Sequence, residues 1–245
     1  MQLFLTEEFA LNNDRAYTGN LREISPNIRP NGHKKYIMNV KFSRDENACY
    51  VAHLDMMRIF ERSIRRAEID CDYTQGFNPR PVMTFALPSG VGVESIDDYA
   101  DITLKKKMNP GEFVEKLNKS LPEGIKILGA QEADETGKSL MARVCESEYL
   151  FLFKNIGRFK NIILNSEKLP VIKLSKGRRR EIDVKEYILS INSSDENSLS
   201  VKVKAGSKEN LRPDLLLLSL VGTDNFSKND SLDTRIVRVR TIFEG

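Results

Sequence analysis

The chain has 245 residues, of which 40% are hydrophobic and 30% are charged, so it is long enough for one large domain or two of ordinary size. This composition excludes collagen-like, low-complexity and wholly disordered proteins. The 38 basic and 35 acidic residues leave a net charge of only +3, and the global charge therefore does not by itself indicate a nucleic-acid partner.

Residues 1–34 show no sustained hydrophobic period of a helix or a strand, and we expect a flexible N-terminal extension. The first residues, MQLFLTEEFALNND, lack the basic start and long apolar stretch of a secretory signal. No apolar run reaches the roughly 20 residues of a membrane helix. These features predict a cytoplasmic protein with no contact to a membrane.

Residues 35–134 predict an α+β unit. KYIMNVKFSR has the composition of a strand, residues 50–68 have helical spacing, VMTFALP and YADITLKK resemble strands, and SGVGVES resembles a turn. NPGEFVEKLNKSLPEG predicts a second helix, with Pro110 in its first turn and Gly124 at its exit. IKILGAQ then closes the unit as a strand. The order β-α-β-β-α-β is that of the split β-α-β, or ferredoxin-like, arrangement.

Residues 147–245 restate this pattern more loosely. LSVKVKAGSKENLRPDLLLLSL is similar in pattern to ADITLKKKMNPGEFVEKLNKSL, and RIVRVRTIF corresponds to IKILGAQ. SEYLFLFKN, RFKNIILNSE, LPVIKL and IDVKEYILSI supply a first strand, a short helix and further strands. We therefore predict an α+β protein of two tandem ferredoxin-like units, the second divergent, joined by the polar stretch ETGKSLMARVCE.

Few side chains suit catalysis or metal binding. Cys49, Cys71 and Cys145 are an odd number without C-x2-C spacing, so we expect reduced, mostly buried thiols. The only histidines are His33 and His53, and no Ser-His-Asp, Cys-His or H-E-x-x-H arrangement is present. We expect neither a metal nor a cofactor, and the sequence favours a non-catalytic protein.

Two groups of polar residues need an interpretation. His53 and Asp55, near a helix start, suit capping and hydrogen bonding, ligand binding or acid–base catalysis, and the sequence leaves these alternatives open. The second group consists of four carboxylates, Glu94, Asp97, Asp98 and Asp101. We expect a solvated strand edge there, with Asp101 on the outer face, and no metal site.

The strongest candidate for a binding surface begins with the first helix. HLDMMRIFERSIRRAE places one apolar stripe towards a core and four arginines on the exposed side, namely Arg58, Arg62, Arg65 and Arg66. Such a side is either a solvated, salt-bridged surface or a contact for RNA or an acidic partner.

A loop must follow, because DYTQGFNPRP contains one glycine and two prolines. Tyr73 or Phe77 could stack there on an unpaired base, although the sequence favours Phe77 as a loop anchor in the core. Gln75, Asn78 and Arg80 could reach base edges and phosphates. The candidate binding residues are therefore His53, Asp55, Arg58, Arg62, Arg65, Arg66, Gln75, Phe77, Asn78 and Arg80.

Further positive charge lies in the second half of the chain. KLSKGRRRE predicts a hairpin with a basic cluster of Lys173, Lys176, Arg178, Arg179 and Arg180. More charge is expected from Arg212, Arg235, Arg238 and Arg240.

The same residues carry a family resemblance. The stretch YVAHLDMMRIFERSIRRAEIDCDYTQGFNPRPVMTFALPSGVGVESIDDYADITL resembles the opening region of the radical SAM-linked protein family, a bacterial domain of unknown function. Its members are encoded beside, or fused to, a radical SAM protein. The resemblance covers roughly residues 35–245 and is densest in HLDMMRIFERSIRRA and TQGFNPRP, with weaker similarity in REIDVKEYI, LRPD and RTIFEG.

The resemblance implies a partnership with a radical SAM protein. Radical SAM chemistry needs cysteines for an iron–sulfur cluster, and this chain has none at C-x3-C-x2-C spacing. It would therefore be a non-catalytic accessory or substrate-recognition protein. In genomes that encode members of that family, the pair is often found near genes for ribosomal proteins and ribonuclease G, so the resemblance also implies RNA or a ribonucleoprotein as a further partner. The alternatives are an RNA-processing or RNA-modifying enzyme of ferredoxin-like architecture and a protein-interaction scaffold.

Overall fold

The computed structural model of the protein describes residues 35–133, 137–175 and 177–244. The predicted extension of residues 1–34 lies outside these ranges. Two compact units are present: residues 35–145 and 240–244 belong to the first, and residues 146–239 belong to the second. The last strand therefore contributes residues to both units.

The first unit is α+β, and its elements follow the predicted β-α-β-β-α-β order. In chain order they are β1 (Tyr36–Arg44), α1 (His53–Arg66), β2 (Met83–Phe85), β3 (Val93–Leu104), α2 (Pro110–Ser120) and β4 (Ile125–Glu132), followed by the short helix α3 (Leu140–Arg143). The strand β3 begins earlier than expected, within the stretch assigned to a turn.

Strand β1 lies at the centre of the first unit's sheet. It pairs antiparallel with β3 through Val40 and Ala100 and antiparallel with β4 through Val40 and Ala130. β2 pairs antiparallel with the other edge of β3, where Phe85 lies opposite Ala100. The strand order is therefore β4-β1-β3-β2, and every neighbouring pair is antiparallel.

Local sequence signals explain where helix α2 begins. The Oδ1 atom of Asn109 accepts hydrogen bonds from the backbone N–H groups of Gly111 and Glu112, and Pro110 occupies the first turn. The prediction for Pro110 is confirmed. The helix ends at Ser120 with Leu121 as its cap, and Gly124, whose φ of 88° favours glycine, lies instead in the turn directly before β4.

The core of the first unit forms between the sheet and the buried side of α1. The ring of Phe60 lies 5.1 Å from that of Phe42 and 5.2 Å from that of Phe85, both in edge-to-face geometry. Met56 and Ile64 extend the same helix side into this core. These contacts hold helix α1 against the sheet, so the opposite side of the helix faces solvent.

The second unit is also α+β. Its elements are β5 (Val144–Leu152), α4 (Phe159–Asn165), β6 (Pro170–Ser175), β7 (Arg178–Asp183), β8 (Ile188–Asn192), β9 (Ser198–Lys204), α5 (Pro213–Leu220), α6 (Lys228–Asp233) and β10 (Arg235–Phe243). Four strands form a sheet in the order β10-β5-β9-β8, and β6 pairs with β7 as a separate two-stranded ribbon. None of the helices in the described ranges is long and apolar enough to cross a membrane.

Aromatic and aliphatic side chains form the core of the second unit. The rings of Phe159 and Phe226 meet edge to face at 5.0 Å, and Leu199, Val201 and Leu220 are fully buried nearby in the same unit. The proline in LRPD begins α5, as the sequence predicts.

Candidate functional site

All four arginines of helix α1 are exposed, and three of them lie on the side opposite the core. Arg58, Arg62 and Arg65 are exposed on the side opposite the buried Phe60 and Ile64. Arg58 forms a salt bridge of 2.7 Å with Asp55. Arg62 makes no hydrogen bond or ion pair with any described residue. Like charges four residues apart on a helix repel each other, so Arg58 and Arg62 are not placed there by helix stability.

Arg66 instead joins two helices. Its Nη2 atom donates to the carbonyl oxygen of Ser120 at 2.6 Å and to Ser63 Oγ at 3.0 Å. Ser120 is the last residue of α2, and carbonyls at a helix C-terminus lack partners inside the helix. Ser63 Oγ also donates to this carbonyl at 3.0 Å, so Arg66 is its second donor. The positive charge of Arg66 also lies at the negative end of the helix dipole, which is favourable.

Backbone hydrogen bonds close the loop after α1 at its base. The N–H of Thr74 donates to the carbonyl of Arg80 at 2.9 Å, and the N–H of Val82 donates to the carbonyl of Asp72 at 2.8 Å. The N–H of Arg80 adds a bond to Thr74 Oγ1 at 3.1 Å. Residues 75–79 are thereby enclosed in a tight loop.

The end of strand β3 holds this base in place. Thr103 accepts a hydrogen bond from the N–H of Asp72 at 2.8 Å and donates its own N–H to the carbonyl of Val82 at 2.9 Å. Lys105 N donates to the carbonyl of Asp70 at 2.9 Å. Both arms of the loop are therefore attached to the sheet of the first unit.

Phe77 lies at the tip of this loop and is fully exposed, at 105% of its reference surface. The expectation that Phe77 anchors the loop in the core is wrong. All residues of the closed segment 75–79 are exposed, so no part of it returns to the core. Gly76 supports this path with a φ of 130°, which favours glycine.

The loop contacts the arginine-bearing side of α1. Arg65 Nη2 donates to the carbonyl of Pro79 at 3.4 Å, and Arg80 Nη1 lies 3.8 Å from Glu61 Oε1. The structure thus shows contacts between the helix and the loop, which the sequence analysis assigned to one candidate surface. We call the exposed residues of this region the arginine–loop surface: Arg58, Arg62, Arg65, Gln75, Phe77, Asn78 and Arg80.

Sequence patterns missed two residues that support this surface. Thr74 closes the loop, and its position beside a Gly-Pro-rich turn is a usable signal because threonine hydroxyls often bond to nearby backbone. Glu61 pairs with Arg80, which is distant in sequence, and no local pattern indicates such a contact.

His53 and Asp55 point to different environments. Asp55 is exposed and pairs with Arg58, whereas the His53 ring packs edge to face on Phe85 at 5.6 Å. Burial lowers the pKa of His53 below its ordinary value of 6.5, and the charge of Arg44 lowers this pKa further. The cavity beside His53 measures about 10 Å³, which is room for about one water molecule.

The four carboxylates of β3 are buried, and the expectation of a solvated edge is wrong. Their exposed fractions are 6% for Glu94, 6% for Asp97, 5% for Asp98 and 8% for Asp101. Neighbouring strands cover both edges of β3, and helix α3 begins against it.

These carboxylates act as internal acceptors within the first unit. Asp97 accepts from Tyr99 OH at 3.0 Å and from the N–H of Thr241 at 2.6 Å. Asp101, predicted on the outer face, accepts from Asn39 Nδ2 at 2.6 Å and from the N–H of Leu140 at 3.0 Å. Burial raises the pKa of Asp101 above its usual range.

The second basic cluster is carried by the predicted hairpin, which is the β6–β7 ribbon. Arg178, Arg179 and Arg180 are exposed there, and Lys176 lies outside the described residues. Arg238 does not contribute surface charge as expected. It is 1% exposed and donates from Nη2 to Tyr149 OH at 3.2 Å in the second unit.

A protein-family model described as "Uncharacterized protein conserved in bacteria (DUF2344)" matches residues 38–213 of the chain. The match begins in β1 and ends at the first residue of α5, so it includes the whole arginine–loop surface. No curated protein matches the chain.

The contrast between Arg66 and Arg62 predicts a difference in stability. Replacing Arg66 with Ala should lower the free energy of unfolding by about 1 kcal/mol, because two hydrogen bonds to α1 and α2 are lost. Replacing Arg62 with Ala should change it by less than about 0.5 kcal/mol. Urea denaturation of the full chain measures both values, and equal values for the two variants would contradict the assigned role of Arg66.

The environment of His53 predicts a pH dependence. Because folding disfavours the charged imidazole, its contribution to stability is present above pH 6.5 and is lost as the pH falls through the lowered pKa. NMR should show the His53 ring titrating below pH 6.5, with a His33→Gln variant to assign the signals. A His53→Gln variant should lose less stability between pH 7 and pH 5 than the native chain. Titration at or above 6.5 would contradict this environment.

Proposed function

We propose that this protein, which belongs to the DUF2344 family of bacterial proteins, is a non-catalytic accessory protein that recognises RNA for a radical SAM partner. The observation that carries the RNA proposal is the complete exposure of Phe77 on a loop that contacts an arginine-bearing helix. The radical SAM partner is inferred from the family resemblance of the sequence.

The chemistry of Phe77 suits an unpaired base. A phenylalanine ring buries about 150–250 Å² when it finds an apolar partner, and this ring has no such partner within the described chain. Every base offers a flat aromatic face, and stacking on a protein ring contributes about 1–3 kcal/mol per base. Gln75 and Asn78 lie beside it with exposed side chains and could bind polar base edges.

The charges of the surface suit phosphates. Four cations, Arg58, Arg62, Arg65 and Arg80, are accompanied by two carboxylates, of which Asp55 pairs with Arg58 and Glu61 lies near Arg80. Arg62 has no polar partner in the described ranges, and Arg65 makes one long hydrogen bond of 3.4 Å to a backbone carbonyl. Guanidinium groups bind phosphate oxygens with two parallel hydrogen bonds, so Arg62 and Arg65 are the principal phosphate ligands in this proposal.

The strand orders support a tandem ferredoxin-like architecture as part of the proposal. The first unit has the order β4-β1-β3-β2, and the corresponding strands of the second unit have the order β10-β5-β9-β8. In each unit the fourth strand of the β-α-β-β-α-β series lies beside the first, and the third lies between the first and the second. The β6–β7 ribbon is then an insertion between the first helix and the second strand of the later unit.

A protein-interaction scaffold is the second candidate, and Phe77 also favours it. Exposed aromatic and arginine side chains are frequent anchors of protein interfaces. The RNA proposal fits the surface better. The apolar part of this surface is a single ring among several cations, whereas protein interfaces have a larger apolar centre.

Replacing Phe77 with Ala should weaken the binding of single-stranded RNA about five- to hundredfold, as expected for one lost stacking contact. Phe77→Tyr should retain most of the affinity, because the tyrosine ring also stacks. Arg62→Gln should lower the slope of log affinity against log salt concentration by about 0.7. Fluorescence anisotropy with an unstructured RNA oligonucleotide measures all three effects.

Lys119→Gln is the matched control, because Lys119 is an exposed cation of the same unit on the other helix. It should bind RNA like the native chain. Equal affinity of the native chain and the Phe77→Ala variant would overturn the stacking role. A loss of protein partners without a loss of RNA affinity would favour the scaffold.

The partner is tested by purification from the native cell. A tagged chain should retain a radical SAM protein, and Phe77→Ala should not remove it if that surface serves RNA. The purified chain alone should neither cleave tRNA nor form modified nucleosides. Activity without the partner would favour an RNA-processing or RNA-modifying enzyme, and absence of any radical SAM protein from the purified material would contradict the partnership.

A further inference from the structure

The β6–β7 ribbon of the second unit is not used by the arginine–loop surface, and one of its two sides carries cations without any carboxylate. In an antiparallel pair, directly opposite residues project to the same side. Lys173 lies opposite Arg180, and Arg178 projects to that same side because it is two residues from Arg180. We call Lys173, Arg178 and Arg180 the cationic face of the ribbon.

The other side of the ribbon holds its carboxylates. Glu181 lies opposite Ile172, and Asp183 lies opposite Pro170. Asp183 Oδ1 accepts from the N–H groups of Leu169 and Lys185 at 2.9 and 3.0 Å, which ends the ribbon in a turn. Arg179 also projects to this side, because it is two residues from Glu181. Both signs of charge therefore occur on this side, whereas the cationic face carries no carboxylate.

The three residues of the cationic face have no polar partners among the residues that the structure describes. Lys173, Arg178 and Arg180 make no hydrogen bond or ion pair with the described residues. Like charges directly opposite each other destabilise a strand pair, so the pairing of Lys173 with Arg180 weakens the ribbon. Cations that weaken the strand pair and form no ion pair with the described residues are suited to an external ligand.

We propose that the cationic face of the β6–β7 ribbon binds the phosphate backbone of RNA, as a contact point of the second unit. The choice of RNA rests on the proposed function, but the contact is separate from the arginine–loop surface. Arg178 and Arg180 are about 7 Å apart along the strand, and each can bind a phosphate group of one nucleic-acid strand. The contact is independent of base sequence because only cations are presented.

A protein partner fits this face less well. The exposed apolar side chain of the ribbon, Ile172, is 59% exposed and lies on the other side, opposite Glu181. Protein interfaces need an apolar or aromatic centre that becomes buried on binding. The apolar side chains that share the side of Arg180 are Val171 and Ile182, and both are already half-buried. The ribbon has no aromatic residue, so it offers no ring on which a base could stack as proposed for Phe77.

The test compares two triple variants of the full chain. One replaces the cationic face, with Lys173→Gln, Arg178→Gln and Arg180→Gln. The control makes the same change of charge at exposed lysines of the same unit, with Lys154→Gln, Lys168→Gln and Lys208→Gln. The probes are an unstructured RNA oligonucleotide and, separately, a polyglutamate peptide, each at several salt concentrations.

The cationic-face variant should bind RNA about ten- to hundredfold more weakly, with a salt slope that is lower by about 2, as for three lost phosphate contacts. The control should keep most of the native affinity. Circular dichroism should show both variants folded, because all the replaced side chains lie at the surface.

Native RNA affinity and slope in the cationic-face variant would overturn the proposal. So would a loss of polyglutamate binding without a loss of RNA binding, which would identify an acidic protein as the ligand. This test can be told apart from the test of Phe77. If Phe77→Ala leaves RNA affinity unchanged and the cationic-face variant lowers it, the ribbon contact is supported and the RNA role of the arginine–loop surface is not.

Discussion

The candidate site depends on the attachment of the loop after α1 to the end of β3. Hydrogen bonds among Asp72, Val82 and Thr103 hold both arms of the loop against the sheet, and Thr74 closes it. Fixing a backbone residue costs about 1–2 kcal/mol. Here that cost is met when the first unit folds, so a ligand does not have to order the loop when it binds. Phe77 and Arg80 are thereby held in place before any partner arrives.

Ionic groups in this chain divide into those that serve the fold and those that do not. Arg66 binds the end of α2, and the carboxylates of Asp97 and Asp101 are surrounded by donors. Arg62 in the first unit and Arg178 and Arg180 in the second have no such partners among the described residues. An arginine count therefore says little about binding, and the contacts of each guanidinium decide its role. The aromatic ring distinguishes the arginine–loop surface, which suits bases, from the ribbon, which suits phosphates.

Much of the fold was predictable because it depends on local signals. Asn109 and Pro110 begin helix α2. The hairpin around Gly177 follows from alternating strands with a glycine between them. The burial of Asp101 was not predictable, because strand alternation shows which residues share a side but not whether that side is covered. The prediction for Phe77 was wrong for a related reason. A hydrophobic side chain is usually buried, and the sequence does not show the hydrogen bonds that close the loop and leave its tip in solvent. The proximity of Arg80 to Glu61 also could not be predicted from the sequence, because it depends on the fold.

The central claim is that Phe77 meets an RNA base in the cell. Ultraviolet crosslinking of native cells, followed by purification of the chain and mass spectrometry of its nucleotide-bearing peptides, tests this directly, because crosslinks form between stacked rings in contact. The account predicts a nucleotide on the peptide that contains Phe77 and its loss in the Phe77→Ala variant. Crosslinked nucleotides confined to other parts of the chain, or a chain recovered without RNA, would contradict it.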